Sequence, residues 1–159
     1  IALISGAPFV PTPFAACNKM LELAKIKKGE QVIDIGCGDG RIPYIAANKF
    51  NANAFGYELS PVVYIFAKIK QLIWKSKAKI IFGDFRKHDL SQVDCLVCYM
   101  VPKSLKKFIP KFEKELKKGT RVISYSFPIG NWQETYVEPS IPMKNIAKIW
   151  VYEIGKHNK

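Results

Sequence analysis

The stretch Val32-Ile33-Asp34-Ile35-Gly36-Cys37-Gly38-Asp39-Gly40-Arg41 constrains this chain more than any other. A short apolar strand runs into a turn with glycine at positions 36, 38 and 40, and Ile42, Ile45 and Ala46 then recur at helical spacing. Removing side chains from such a turn lets a ligand lie against the backbone, with amide N–H groups facing it. The arrangement is a nucleotide-type cradle. Its spacing excludes two common forms: a dinucleotide fingerprint G-x-G-x-x-G would need glycine where Arg41 stands, and no G-x-x-x-x-G-K-[ST] phosphate loop occurs.

Other strand-like runs alternate with helical ones. Gln31 to Ile35, Ala54 to Leu59, Lys79 to Phe82, Asp94 to Val101 and Arg121 to Phe127 are apolar on consecutive residues, as strands covered on both faces of a parallel sheet are. Met20, Leu21, Leu23 and Ala24 mark a leading helix. Ile65, Phe66, Ile69, Leu72 and Ile73 mark one face of a helix beginning after Ser60-Pro61, where serine caps and proline suits the first turn. Leu105, Phe108, Ile109, Phe112 and Leu116 mark another, stopped by Gly119. Gly83 to Val93 is a thin link between the third and fourth strands. The stretches Trp132 to Val137 and Ile146 to Ile154 read as an antiparallel hairpin closing the sheet. The pattern predicts an α/β fold, a right-handed βαβ sheet within one domain spanning residues 1–159.

Composition narrows the function classes. With 48% hydrophobic and 24% charged residues the chain is neither a disordered tail nor a low-complexity polymer, and Lys68 and Lys70 interrupt its best candidate for a membrane span. A net charge of +12 favours anionic partners. Only Arg41, Arg86 and Arg121 of the 25 basic residues are arginine, which weakens the case for base-specific readout of nucleic acid. Four cysteines without a dense framework fit a reducing, cytoplasmic setting. Cys95 and Cys98 form a C-x-x-C, but three positions apart on a strand they point to opposite faces and cannot share a metal.

Acids stand at three successive strand ends. Asp34 opens the glycine loop, Glu58 ends the second strand beside Leu59, and Asp84 follows the third strand next to Phe85. A carboxylate at the second strand end can accept both vicinal hydroxyls of a ribose. Asp84 could accept from an exocyclic adenine amine, with Phe85 as an aromatic wall.

In these features the sequence resembles class I S-adenosylmethionine-dependent methyltransferases, whose motif D-x-G-x-G-x-G is matched by Asp34, Gly36, Gly38 and Gly40. The resemblance implies a Rossmann-like sheet of seven strands, mostly parallel with a C-terminal antiparallel hairpin, and helices on both faces. It also implies that S-adenosyl-L-methionine is the cofactor. Its amino-acid part would lie on the loop from Gly36 through Cys37 to Gly40, its ribose on Glu58, and its adenine near Leu59, Asp84 and Phe85.

A narrower resemblance rests on Pro8-Phe9-Val10-Pro11-Thr12-Pro13, Gly38-Asp39-Gly40-Arg41-Ile42, Gly56-Tyr57-Glu58-Leu59-Ser60-Pro61, and Phe127-Pro128 with Trp132-Gln133. These are similar to the small protein-lysine methyltransferases that act on adenine nucleotide translocase and the ATP synthase c-subunit, and to their archaeal and bacterial relatives. That likeness implies a Pro-Thr-Pro segment closing over the cofactor, with Thr12 as a contact; a threonine there also suits a helix N-cap.

Methyl transfer from a sulfonium needs positioning, water exclusion and a neutral nucleophile. A lysine amine meets the last condition when apolar burial and a neighbouring positive charge lower its pKa, so no dedicated base is obligatory. Tyr99, Met100, Val101, Pro102, Phe127 and Trp132 end the fourth and fifth strands and are the candidate acceptor channel, with Tyr99, Pro102, Phe127 and Trp132 foremost. The fourth strand lacks the [ND]-P-P-[YF] signature of base and glutamine N-methylation. His88 and His157 have no partner pattern pointing to metal or acid-base work. Lys103, Lys106, Lys107, Lys111, Lys114, Lys117 and Lys118 face only Glu113 and Glu115 on the fourth-strand helix, a surface for an acidic protein or an anionic membrane. Ile1-Ala2-Leu3-Ile4 reads as the remnant of an N-terminal anchor or as a lead segment. The alternatives to a protein acceptor are RNA or a small molecule, or a cofactor-binding regulator without turnover.

Overall fold

The computed structural model describes residues 10–158. The anchor motif Ile1 to Ile4 and the Pro8-Phe9 end of the Pro-Thr-Pro motif lie outside the described residues. A seven-stranded sheet is built from β1 (Gln31–Ile35), β2 (Asn53–Glu58), β3 (Lys79–Phe82), β4 (Cys95–Cys98), β5 (Arg121–Tyr125), β6 (Tyr136–Glu138) and β7 (Ile149–Glu153), in the order β3-β2-β1-β4-β5-β7-β6. The first five are mutually parallel; β7 runs antiparallel between β5 and β6. The strand order reverses between β1 and β4, and open α/β sheets bind ligands beyond the carboxyl ends of strands at such a point.

Helices α1 (Phe14–Leu23) and α2 (Arg41–Lys49) cover one face, packing Met20, Leu21 and Ile45 against Val32, Ala54, Cys95 and Val97. Helix α4 (Pro102–Glu115) covers the other, laying Leu105, Phe108 and Phe112 on Ile33, Ile35, Leu96 and Cys98. The two C-x-x-C thiols fall into these opposite layers, and burial pushes both up to about 12, so they behave as inert core atoms. Helix α3 (Pro61–Ile73) begins as the sequence indicates, with Val63 N donating to the Ser60 hydroxyl at 3.5 Å. Its apolar stripe, however, points outward: only Ala67 and Gln71 of α3 are buried.

Several strands are shorter than the sequence suggests. The fourth ends at Cys98 rather than Val101, because Pro102 already opens α4. The fifth ends at Tyr125, where Ser126 takes φ 74° and leaves the extended region. Trp132 stands in no strand. Its ring lies in the core against Phe112, Tyr152 and His157, and the hairpin pairs only Tyr136–Glu138 with β7. Between them a single-turn helix, Pro142–Lys144, ends at Asn145 (φ 52°), and an Ile141–Ile146 bridge closes the loop. Among the described residues no helix is long and apolar enough to cross a membrane.

Candidate active site

The glycine loop sits at the strand-order reversal. Gly36, Gly38 and Gly40 have φ of 75°, 58° and 80°, a left-handed backbone that side chains disfavour. The loop folds back onto β2, where Gly36 N and Cys37 N both donate to the Tyr57 carbonyl at 2.9 and 3.0 Å. Gly56 permits this approach: a Cβ there would meet Cys37 Sγ at 2.7 Å and Pro43 Cγ at 2.9 Å. The sequence shows Gly56 only as part of a motif, and its role follows from the packing. Gln71 of α3 braces the far end of the loop, its amide donating to the Gly40 carbonyl at 3.2 Å.

Three carboxylates surround the loop. Glu58, 1% exposed, accepts from Gly38 N at 3.1 Å and Ser60 N at 2.8 Å, so one side chain ties the loop to the end of β2. Asp39 is gripped by Arg41 in two parallel contacts, Nε to Oδ1 at 2.9 Å and Nη2 to Oδ2 at 2.6 Å. Asp34, 4% exposed, has its carboxyl pushed up to about 8, by burial first and then by the negative charges of Glu58 and Asp39. Three acids against one arginine make this an acid-rich spot in a chain of net charge +12.

Residues 10–13 form a strap across the loop. Thr12 is buried, and its carbonyl accepts from Arg41 Nη1 at 2.5 Å and from the Cys17 thiol at 3.7 Å. The Arg41 guanidinium also lies 4.8 Å from the centre of the Phe14 ring. One arginine thus links Asp39 in the loop, the strap carbonyl and the first residue of α1. Strap and loop enclose a cavity of about 20 Å³, bounded by Asp34, the loop from Gly36 to Arg41, Ile42 and Tyr99. A second cavity, of about 240 Å³, adjoins it under the same strap and is walled by Tyr99, Tyr125, Pro142, Asn145, Ile146 and Ala147. The space between strap and loop is smaller than the roughly 300 Å³ of a typical ligand pocket.

Tyr99 joins the two cavities, its ring edge-on to Tyr125 at 5.1 Å. Pro102 and Trp132 line a different cavity, beside α4, where Trp132 Nε1 donates to Glu113 at 2.9 Å. Phe127 is half-buried, and its carbonyl accepts the Ser124 hydroxyl at 2.6 Å. The structure therefore brings together only Tyr99 of the four foremost acceptor candidates. It adds Tyr125, whose hydroxyl accepts from Ala147 N at 3.0 Å, and the loop around Asn145. Asp84 caps the turn Phe85–Lys87 and holds the Arg86 guanidinium, which keeps its carboxyl below the usual range. Phe85 is buried between Phe108 and Phe112. Leu59 follows Glu58, half-buried.

The sequence pattern of the ANTKMT methyltransferase domain matches residues 34–136, a span that holds the loop, Glu58, Tyr99 and Tyr125. The chain belongs to this family. A protein-lysine N-methyltransferase of Saccharolobus islandicus is 34% identical over 160 aligned positions, covering 99% of both chains. The Homo sapiens lysine N-methyltransferase of the ATP synthase c-subunit is 31% identical over 92% of this chain, which spans 61% of that protein's length. Among solved structures, an RNA methyltransferase from Salinibacter ruber in complex with S-adenosyl-L-homocysteine superposes with a TM-score of 0.84 at 27% identity. The superposition covers 91% of this chain and 94% of the other.

Neither His88, inside the matched span, nor His157, beyond it, reaches the site. His88 packs on Tyr57 at 4.5 Å, and the buried His157 accepts from Gly155 N through Nδ1 at 3.2 Å. Among the described residues no cluster of His, Cys, Asp or Glu could hold a metal ion.

Proposed function

We propose that this chain methylates lysine side chains of a protein, with S-adenosyl-L-methionine as donor. The observation that carries the reading is an acid-rich glycine loop at the strand-order reversal, opening under a shared strap into a tyrosine-walled cavity. When bound, S-adenosylmethionine supplies an electrophilic methyl group on a cationic sulfur. Glu58 would hold the ribose hydroxyls; Asp34 and the backbone from Gly36 through Cys37 to Gly40 would hold the charged amino-acid end. Leu59 would flank the adenine end; Asp84 can serve there only by releasing Arg86, and Phe85 only by leaving the core. Thr12 and the strap would exclude water from the loop. Tyr99 and Tyr125 would orient the acceptor amine, and burial between their rings favours its neutral, nucleophilic form. Pro102, Phe127 and Trp132 then support the surrounding structure.

The partner reading rests on α4 and the residues after it. Lys111 pairs with Glu115 and Lys117 with Asp94, while Lys103, Lys106, Lys107, Lys114 and Lys118 are exposed along the length of this segment, the first three nearest the strand ends, and would meet an acidic protein surface. The four cysteines are free and buried, which fits a cytoplasmic setting. The likeness to the Salinibacter ruber RNA methyltransferase favours RNA as the second reading.

The test is incubation of the purified chain with methyl-labelled S-adenosylmethionine and cell lysate, followed by protease or nuclease. The expected label is removed by protease, is recovered as methyl-lysine after acid hydrolysis, and falls as salt is raised. Label that survives protease and is lost to nuclease would assign the acceptor to RNA.

A further inference from the structure

Helix α3 meets the sheet through Ala67 and Gln71, which lie along one side of it. Val62, Ile65, Phe66, Ile69, Leu72 and Ile73 occupy the opposite side at spacings of three and four, and their exposure runs from 44% for Phe66 to 79% for Leu72. Phe82, on the edge strand β3, is 52% exposed and meets Tyr64 of the same helix at 5.5 Å. Single exposed apolar residues are ordinary, whereas a contiguous stripe marks a docking surface.

Charge decides what that surface fits. Across residues 59–83 every charged residue is a lysine: Lys68, Lys70, Lys75, Lys77 and Lys79. At roughly 100° per residue, Lys68 and Lys70 fall on either side of the stripe. Lys70 Nζ lies 5.3 Å from the Phe66 ring centre and 5.4 Å from that of Trp74, so its stem covers apolar surface with the ammonium at the margin. A second copy of the chain packed stripe to stripe would set lysine against lysine, with no acid on the helix to answer them. One 13-residue helix also offers less than the ~800 Å² per partner of a standard interface. An anionic bilayer surface satisfies both halves of the pattern, taking the apolar side chains at the acyl boundary and the lysines among its headgroups.

We propose that α3 is a membrane-surface helix that seats this protein in the plane of an anionic bilayer, with Ile69 and Leu72 at the centre of the inserted stripe. The test is cosedimentation of the full chain with phosphatidylglycerol–phosphatidylcholine vesicles, beside vesicles of phosphatidylcholine alone. Binding to the anionic vesicles is expected to exceed binding to the neutral ones. The double substitution Ile69→Glu with Leu72→Glu is expected to weaken it at least tenfold, with melting temperature and S-adenosylmethionine affinity unchanged. Ile69→Ser with Leu72→Ser, which adds no charge, is expected to weaken it in the same direction. Indifference of the native chain to anionic vesicles, or attachment that survives both double substitutions, overturns the proposal. So does a dimeric native chain that these substitutions make monomeric, which would assign the stripe to a second copy.

Discussion

Replacing Glu58 with alanine is expected to lower the affinity for S-adenosylmethionine by about 100-fold or more while the chain remains folded. The carboxylate is almost wholly buried at the end of β2, and its two contacts to Gly38 N and Ser60 N aim it at the mouth of the glycine loop. A hydrogen bond to a charged group contributes about 1.5–3 kcal/mol, and a ribose offers two vicinal hydroxyls; losing both reaches about 3 kcal/mol, roughly two powers of ten in affinity. Alanine also removes the acceptor of Gly38 N and Ser60 N, so a thermal melt of the variant is read beside its binding. Glu58→Gln keeps the shape and one acceptor without the charge, so its affinity should fall between the two. Calorimetry reads all three. Native affinity in the alanine variant would place the sugar elsewhere.

How much of this site could be read in the sequence depended on how local each signal is. The loop was legible because alternating glycines after a consecutive apolar run have few other uses, and Glu58 because strand ends in a parallel sheet converge on one edge. The order of elements, the Ser60 cap and the thin link between β3 and β4 were legible for the same reason. Asp84 reads like Glu58 in sequence, yet a guanidinium two residues later captures it. Tyr125 and the loop at Asn145 reach the cavity beside Tyr99 only because β7 doubles back along β5, a long-range pairing that no local pattern announces. Trp132 is aromatic and near a strand end, but the turn at Ile129 carries its ring into the core beside α4. The α3 stripe has the spacing of a core face. Because β3 is the sheet edge, only Ala67 and Gln71 of this helix are buried, with Tyr64 partly packed beside them.

Donor affinity is also expected to rise with pH up to about 8, through Asp34. Burial and the flanking acids raise this carboxyl from 3.8 to about 8, so at neutral pH the ligand-free protein keeps a proton there. A ligand bearing an ammonium and a sulfonium favours the ionised form and must expel that proton, which costs roughly tenfold in affinity for each pH unit below about 8. Asp34→Asn cannot titrate and should flatten the dependence while lowering affinity at pH 8. Stability of the ligand-free chain should move the opposite way. The contribution from the raised carboxyl is complete below about pH 4 and is lost as pH rises through about 8, because over that window the folded state binds the proton more tightly than the unfolded one. Thermal melts and calorimetry of native and Asp34→Asn chains, run across the same pH range, check both signs. A flat profile in the native chain would show that Asp34 is already ionised.

The most direct measurement is a crystal structure of the chain grown with S-adenosylhomocysteine, the product left after methyl transfer. The expected density lies along the backbone of Gly36 to Gly40, with both ribose hydroxyls on Glu58, Thr12 and the strap lying over the ligand, and the sulfur facing the cavity between Tyr99 and Tyr125. Density elsewhere, or none at saturating product, would contradict the account.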